Sequence, residues 1–269
     1  MNVSKKVFLV TGAGGGIGSE LVLALLARGA EVAAVDLREE SLVQLTRKAD
    51  ALAASLSTHA LNISDKEAVL QLPAQVITAH GRIDGIINCA GIIQPFVKIN
   101  DLDYDTIERV MNVNFYGTLY MTKAFLPSLL QREEAHIVNV SSMGGFLPVP
   151  GQGVYGASKA AVKLLTEALY AELLNTPVHV TTVFPGATKT DITTNSNVAM
   201  PLSSDADTAK MSPKMLTAAK AAEIIVDGIE KNKPQIFTGS DSKLMNRLYR
   251  LNPLYATRLI ATQMKSLLK

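Results

Sequence analysis

Seven short runs of apolar, largely β-branched residues recur along the 269-residue chain, separated by longer stretches of helical character. The runs are VFLVT (7–11), EVAAVD (31–36), STHALN (57–62), IDGIIN (83–88), AHIVNVS (135–141), VHVTTVF (178–184) and PQIFT (234–238). Helical patterns lie between them, near 16–28, 39–54, 65–80, 105–131, 154–174 and 216–231. Short, nearly continuous apolar strands must be covered on both faces, and helices between them supply the cover. The alternation predicts an α/β fold with about seven parallel strands, right-handed crossovers and helices on both faces. Ligands then belong at the carboxyl ends of the strands, where the strand order reverses. No linker-like stretch divides the chain. Residues 1–239 are read as the catalytic part, and 240–269 as a helical extension of the same domain.

The first strand runs into TGAGGGIGSELVLALLARGA, with glycines at 12, 14, 15, 16 and 18 directly between strand and helix. Glycine admits positive φ and lets the backbone approach a pyrophosphate, whose charge a helix N-terminus favours. That context makes the domain Rossmann-like and doubly wound, with a dinucleotide on the loop. The second strand ends in Asp36. A carboxylate there accepts both adenosine ribose hydroxyls and repels a 2′-phosphate, which favours NAD over NADP. Arg38, two positions on, is the side chain that would hold such a phosphate.

Composition excludes several classes. The apolar run before Thr11 is too short for a signal peptide, and no stretch reaches membrane-spanning length. The single cysteine, Cys89, cannot form an internal disulfide, which fits a cytoplasmic setting. The four histidines lie far apart, so no metal site is read. No aromatic-basic platform or recognition motif suggests nucleic acid. Net charge is +2, but residues 242–269 hold six basic and no acidic side chains. The remainder has 20 basic and 24 acidic ones, a net of −4.

GVYGASKAAVK (153–163) places Tyr155 and Lys159 one helical turn apart, on one face. Together with Thr11 and the Gly12-x-x-x-Gly16-x-Gly18 spacing, this pair resembles the classical short-chain dehydrogenase/reductase family. Further landmarks fall in the family's order: NCAG (88–91), MNVNFYG (111–117), VSSMGG (140–145) and PGATKT (185–190). Ser142 lies 13 residues before Tyr155, the family's usual separation, and is chosen over Ser141. Cys89, Asn62 and Thr188 depart from the residues usual at their positions.

The resemblance implies a catalytic set of Asn114, Ser142, Tyr155 and Lys159. Tyr155 would exchange the substrate proton, Ser142 orient the substrate oxygen, and Lys159 bind the nicotinamide ribose and lower the tyrosine pKa. Asn114 would hold a water linking Lys159 to solvent. Implied cofactor contacts are Gly12, Gly14, Gly15, Gly16, Ile17, Gly18, Asp36, Asn62, Ile63, Asn88, Ala90, Gly91, Tyr155, Lys159, Pro185, Gly186, Thr188 and Thr190. The implied activity is hydride transfer between a secondary alcohol or ketone, lipophilic in this reading, and NAD. Alternatives are a catalytically silent NAD(H)-binding regulator, an NADP-preferring carbonyl reductase, and an epimerase or dehydratase of the extended branch. A homo-oligomer is expected.

Residues 191–216 are polar and poorly periodic, as a substrate loop that closes as a lid would be. In the tail, Pro253 is predicted to separate two amphipathic helices with Leu244, Leu248, Leu251, Tyr255 and Leu259 at helical spacing. Four roles stay open for it: packing on its own core, a lid, a subunit contact, or peripheral contact with an anionic membrane.

Overall fold

The computed structural model describes residues 1–196, 198 and 215–264, and the greater part of the expected lid lies outside them. Seven strands form the parallel sheet: β1 (Val7–Thr11), β2 (Glu31–Asp36), β3 (Leu56–Ala60), β4 (Gly85–Asn88), β5 (Ala135–Val140), β6 (Val178–Pro185) and β9 (Gln235–Thr238). The short β7 (Thr188–Lys189) and β8 (Leu216–Thr217) pair in parallel beside it. The sheet order is β3-β2-β1-β4-β5-β6-β9, so the chain reverses direction across the sheet between β1 and β4.

Successive side chains of a strand face opposite ways, and both sides here are apolar. On one side Phe8, Val10, Val32, Ala34, Ile87, Val138 and Val183 meet helices α1 (Gly16–Ala27), α2 (Glu39–Ala49) and α8 (Ala218–Glu230). On the other, Val7, Leu9, Ala33, Val35, Ile86, Ile137 and Val180 meet α3 (Lys66–His80), α5 (Thr118–Leu129) and α6 (Gly153–Glu172). The doubly wound α/β arrangement follows from that two-sided burial.

Two expected helices differ. The 39–54 helix ends at Ala49, because Asp50 takes a φ of 47° and the chain continues as a 3₁₀ turn over Asp50–Ser55. The 105–131 helix is interrupted: α4 (Tyr104–Met111) passes through a π-helical segment, Asn112–Gly117, into α5. A short helix α7 (Ile192–Asn195) precedes the undescribed stretch. The tail forms α9 (Ser240–Leu251) and α10 (Pro253–Gln263), with Pro253 at the start of the second as expected. Its core-facing residues, however, are Met245, Leu248, Tyr249, Ala256 and Ile260, which cluster with Met143, Phe146 and Leu147. Leu244, Leu251 and Tyr255 of the expected stripe point to solvent. Among the described residues no helix is long and apolar enough to cross a membrane.

Candidate active site

A cleft of about 600 Å³ opens at the carboxyl ends of the strands, over the β1/β4 reversal. Its first end is built from backbone. Gly12 and Gly16 hold φ of 69° and 53°, values a side chain would strain. A Cβ on Gly12 would lie 2.8 Å from Ala90 Cα, and one on Gly18 would lie 2.0 Å from the Gly12 carbonyl oxygen. The loop therefore tolerates no side chain at either point. Thr11 Oγ1 accepts from the amides of Cys89 and Ala90, both at 3.1 Å, and so joins the loop to the end of β4. Asp36 accepts from Gly14 N at 2.8 Å and Arg38 N at 3.1 Å, at the rim of the cleft. Asn62 and Ile63 line the same end. Asn62 Oδ1 accepts from Ser64 N and Ser64 Oγ, which leaves its side-chain Nδ2 for a ligand.

The second end is built from side chains. Lys159 is buried on α6, and its Nζ donates to Val140 O at 3.0 Å. A Cβ on Gly91 would stand 3.0 Å from that Nζ and 3.3 Å from Asn114 Oδ1, so these two groups converge on one point. Likewise a Cβ on Gly144 would be 3.5 Å from both Ser142 Oγ and Tyr155 Cε1. The two serines divide the work. Ser141 donates to the Lys159 carbonyl at 2.8 Å, inside the protein, whereas Ser142 stands beside the Tyr155 ring.

Burial raises the Tyr155 phenol, with the Ser142 hydroxyl pulling weakly the other way. Burial brings Lys159 down to about 8, against a smaller opposing effect of Cys89. Cys89 itself is pushed up to about 11 by burial, so it remains a thiol at neutral pH.

Most of the expected residues wall the cleft, but Gly14, Asn88 and Asn114 do not. The Gly14 amide is turned to Asp36, and Asn88 lies inside the sheet, donating to Asn139 Oδ1 at 2.8 Å. Asn114 is fully buried in the π-helical segment. Its Oδ1 accepts from Ile92 N at 2.8 Å, and its Nδ2 donates to Ile92 O and Ser158 Oγ, both at 2.9 Å. Both amide protons are thus committed, and the side chain holds the 91–92 turn against Lys159.

Two residues were not anticipated. Gln94 is buried, and its Oε1 accepts from Val154 N at 2.8 Å and Tyr155 N at 3.0 Å. Its Nε2 donates to Gly151 O at 3.0 Å, and its carbonyl accepts from Gln152 Nε2 at 2.8 Å. Gln94 thereby supplies the N-terminal cap that α6 lacks locally. Asp241, in the first turn of α9, accepts from Ala187 N at 2.7 Å and fixes the turn after Pro185. Neither carries a local motif, since their partners lie more than 50 residues away.

Beyond Ser142 and Tyr155 the walls are mostly apolar (Ile92, Ile93, Phe96, Met143, Val149, Met215 and Met264), with buried Gln152 a polar exception. The α7 residues Ile192, Thr193 and Asn195 close one side, with Ser196 Oγ accepting from Ile93 N at 3.0 Å.

Comparison with known proteins agrees with this geometry. A family model described as short chain dehydrogenase matches residues 6–201. A protein named SadH from Mycobacterium tuberculosis is 36% identical over 265 residues, covering 95% of this chain and 94% of its own. A short-chain dehydrogenase/reductase from Burkholderia phymatum in complex with NAD superposes with a TM-score of 0.84 at 26% identity, covering 95% of this chain and 96% of that one. A short-chain dehydrogenase from Burkholderia cenocepacia in complex with NADP gives 0.80 at 25% identity, with coverages of 97% and 99%. A cleft at the strand-order reversal, floored by side-chain-free backbone and ending in a buried lysine beside a tyrosine and a serine, accordingly belongs here to an oxidoreductase of the short-chain dehydrogenase/reductase family.

Proposed function

We propose that the protein interconverts a secondary alcohol and a ketone on a lipophilic substrate, with NAD as hydride carrier. The observation that carries this reading is the convergence of Ser142 Oγ and the Tyr155 ring, above buried Lys159, beside an apolar chamber.

The residues present fit the cofactor. The glycine loop, into which a Cβ at Gly12 or Gly18 would collide, leaves room for a pyrophosphate at the N-terminus of α1. Asp36 at the rim is an acceptor for ribose hydroxyls, and Ala90, Gly91, Pro185, Gly186, Thr188 and Thr190 line the way to Tyr155. Bound NAD supplies the hydride acceptor, and its reduced form the donor.

In alcohol oxidation Tyr155 takes the hydroxyl proton while the hydrogen on carbon departs as hydride. In ketone reduction Tyr155 returns that proton to the oxygen. Ser142 donates a hydrogen bond to the same oxygen and fixes its position. Lys159 offers its ammonium to the ribose hydroxyls and favours the phenolate. Reaching the phenolate near pH 7 means overcoming an ordinary phenol pKa near 10 and its upward displacement by burial. Positive charge at this end of the cleft is what the acid–base step requires.

A second reading, NADP, is favoured by Arg38 at the same rim, although its Nη2 here donates to Asn195 Oδ1 at 2.9 Å. Titration calorimetry with NAD, NADP and their reduced forms, followed by turnover on secondary alcohols of increasing chain length, tests both points. NAD binding tighter than NADP and kcat/KM rising with chain length are expected. Binding without turnover of any alcohol or ketone in the panel would leave a silent nucleotide-binding protein instead.

A further inference from the structure

The tail helices have two faces of opposite character. The inner face, described above, packs on Met143, Phe146 and Leu147, next to Ser142. The outer face leaves four large apolar side chains in solvent: Leu244 at 65% exposure, Leu251 at 85%, Leu254 at 72% and Tyr255 at 55%. Lys243, Arg247, Arg250 and Arg258, all exposed, are interleaved with them at helical spacing. No acidic residue occurs from 242 to 264, although the chain up to residue 241 carries a net charge of −4.

We propose that this outer face docks on an anionic lipid surface, with α9 and α10 lying in the interfacial plane. Apolar side chains bordered by arginine and lysine are what such a surface takes up: the former enter the acyl boundary and the latter meet the headgroups. Leaving these leucines in water is otherwise unfavourable, and a patch of this kind marks an interaction site. A second copy of the chain is a poorer occupant. A two-fold dimer through this face would oppose like patches, setting four cations against four with no acidic side chain from 242 to 264 on either copy, and with Asp241 already engaged by the Ala187 amide. The docking itself is independent of the proposed reaction. Joined to it, the docking gives the apolar chamber a source of substrate, because Met264, at the end of the described tail, lines the cleft.

The test is co-sedimentation of the full chain with vesicles of phosphatidylcholine alone and of phosphatidylcholine with one quarter phosphatidylserine, at low and high salt. Binding is expected to be at least tenfold stronger to the anionic vesicles and to weaken with salt. Leu251→Asp with Leu254→Asp, and separately Arg247→Glu with Arg250→Glu, should each reduce it at least fivefold. These positions are exposed, so melting temperature, NAD affinity and turnover of a short soluble alcohol should hold. Equal binding to both vesicle types, or binding untouched by either double variant, would overturn the proposal. So would a shift of the wild-type oligomer to monomer in the Leu251→Asp, Leu254→Asp protein by sedimentation velocity, which would assign the face to a second copy. Loss of alcohol turnover with vesicle binding intact would refute the catalytic reading and leave this one standing.

Discussion

The two ends of the cleft solve the same problem with different materials. At the glycine loop the protein removes side chains and offers backbone, with Asp36 holding the Gly14 amide at 2.8 Å. At the α6 end it brings side chains from the β4 loop, the π-helical segment, the end of β5 and α6 into one largely buried array, with Asp241 of the tail at its exposed edge. The first end is contiguous in sequence and carries its constraint in residues that are absent. The second is assembled over long separations and carries its constraint in hydrogen-bond partners. A ligand group held by backbone is insensitive to most substitutions nearby, whereas chemistry that depends on assembled side chains fails when a distant support is removed.

The largest expected effect falls on the assembled end. Tyr155→Phe removes the transferable proton and little else, so kcat should fall on the order of 100-fold or more while NAD affinity holds in calorimetry. Retention of activity within about threefold would break the assignment of the acid–base role.

Gln94→Leu comes next. It strips acceptors from the Val154 and Tyr155 amides at the start of α6, and unmet buried donors cost about 1–3 kcal/mol each. A displaced Tyr155 should lower kcat by about tenfold with KM for NAD little changed, together with a lower melting temperature. Gln94→Glu keeps an acceptor and should restore much of kcat. A change in KM for NAD alone would assign Gln94 to the other end.

At the backbone end Asp36→Ala should alter preference more than rate. It removes a ribose acceptor and a charge that repels a 2′-phosphate, so the ratio of NAD to NADP affinity should drop by about tenfold, with kcat on saturating NAD nearly unchanged. The glycine-loop end would lose its special status if wild-type protein already bound NADP more tightly.

A smaller effect concerns the sheet that carries both ends. His136 on β5 is buried, and Thr181 Oγ1 donates to Lys233 O, so His136 Nε2 must be the donor to Thr181, at 2.7 Å. Burial lowers its pKa to about 3 from an ordinary 6.5. The unfolded chain therefore binds a proton that the folded chain refuses between those values. Stability is full above pH 6.5 and declines below it, by about 1.4 kcal/mol per unit until the folded value is reached. Urea unfolding at pH 7 and pH 5 should show the decline, and His136→Gln should flatten it. Unchanged unfolding midpoints would mean that the imidazole reaches solvent.

Legibility in the sequence follows the same division. β1 and β2 lie at the residues their apolar patterning marks, Val7–Thr11 and Glu31–Asp36, because strand and burial are encoded side by side. Gly12, Gly16 and Gly18 are legible because backbone conformation is a local property. Ser142, Tyr155 and Lys159 are legible only through family spacing; no periodicity distinguishes Ser142 from Ser141. Gln94 and Asp241 have no local signature at all, since what defines them is the amide across the cleft. The tail stripe shows a related limit. Leucines at helical spacing identify a face but not which face meets the core: Leu248 of the stripe packs there with Met245, Tyr249 and Ile260, whereas Leu244, Leu251 and Tyr255 face solvent.

The π-helical segment between α4 and α5 has a consequence best put as helical phase. Each residue advances an α-helix by about 100°, and the wider π turns retard that advance over Asn112–Gly117. Asn114 can then grip both main-chain atoms of Ile92 while Phe125 and Leu129, further along the same continuous helix, still face the sheet core. Removal of one residue from the segment would regain regular α-helical bonding and leave the phase of α5 nearly unchanged, because the lost residue and the faster advance of the remaining ones offset each other. The grip of Asn114 on Ile92 would be lost instead, since that side chain depends on the wider turn. The extra residue thus serves the site while the core face of α5 stays in register, so that a deletion here strikes the site before it strikes the core.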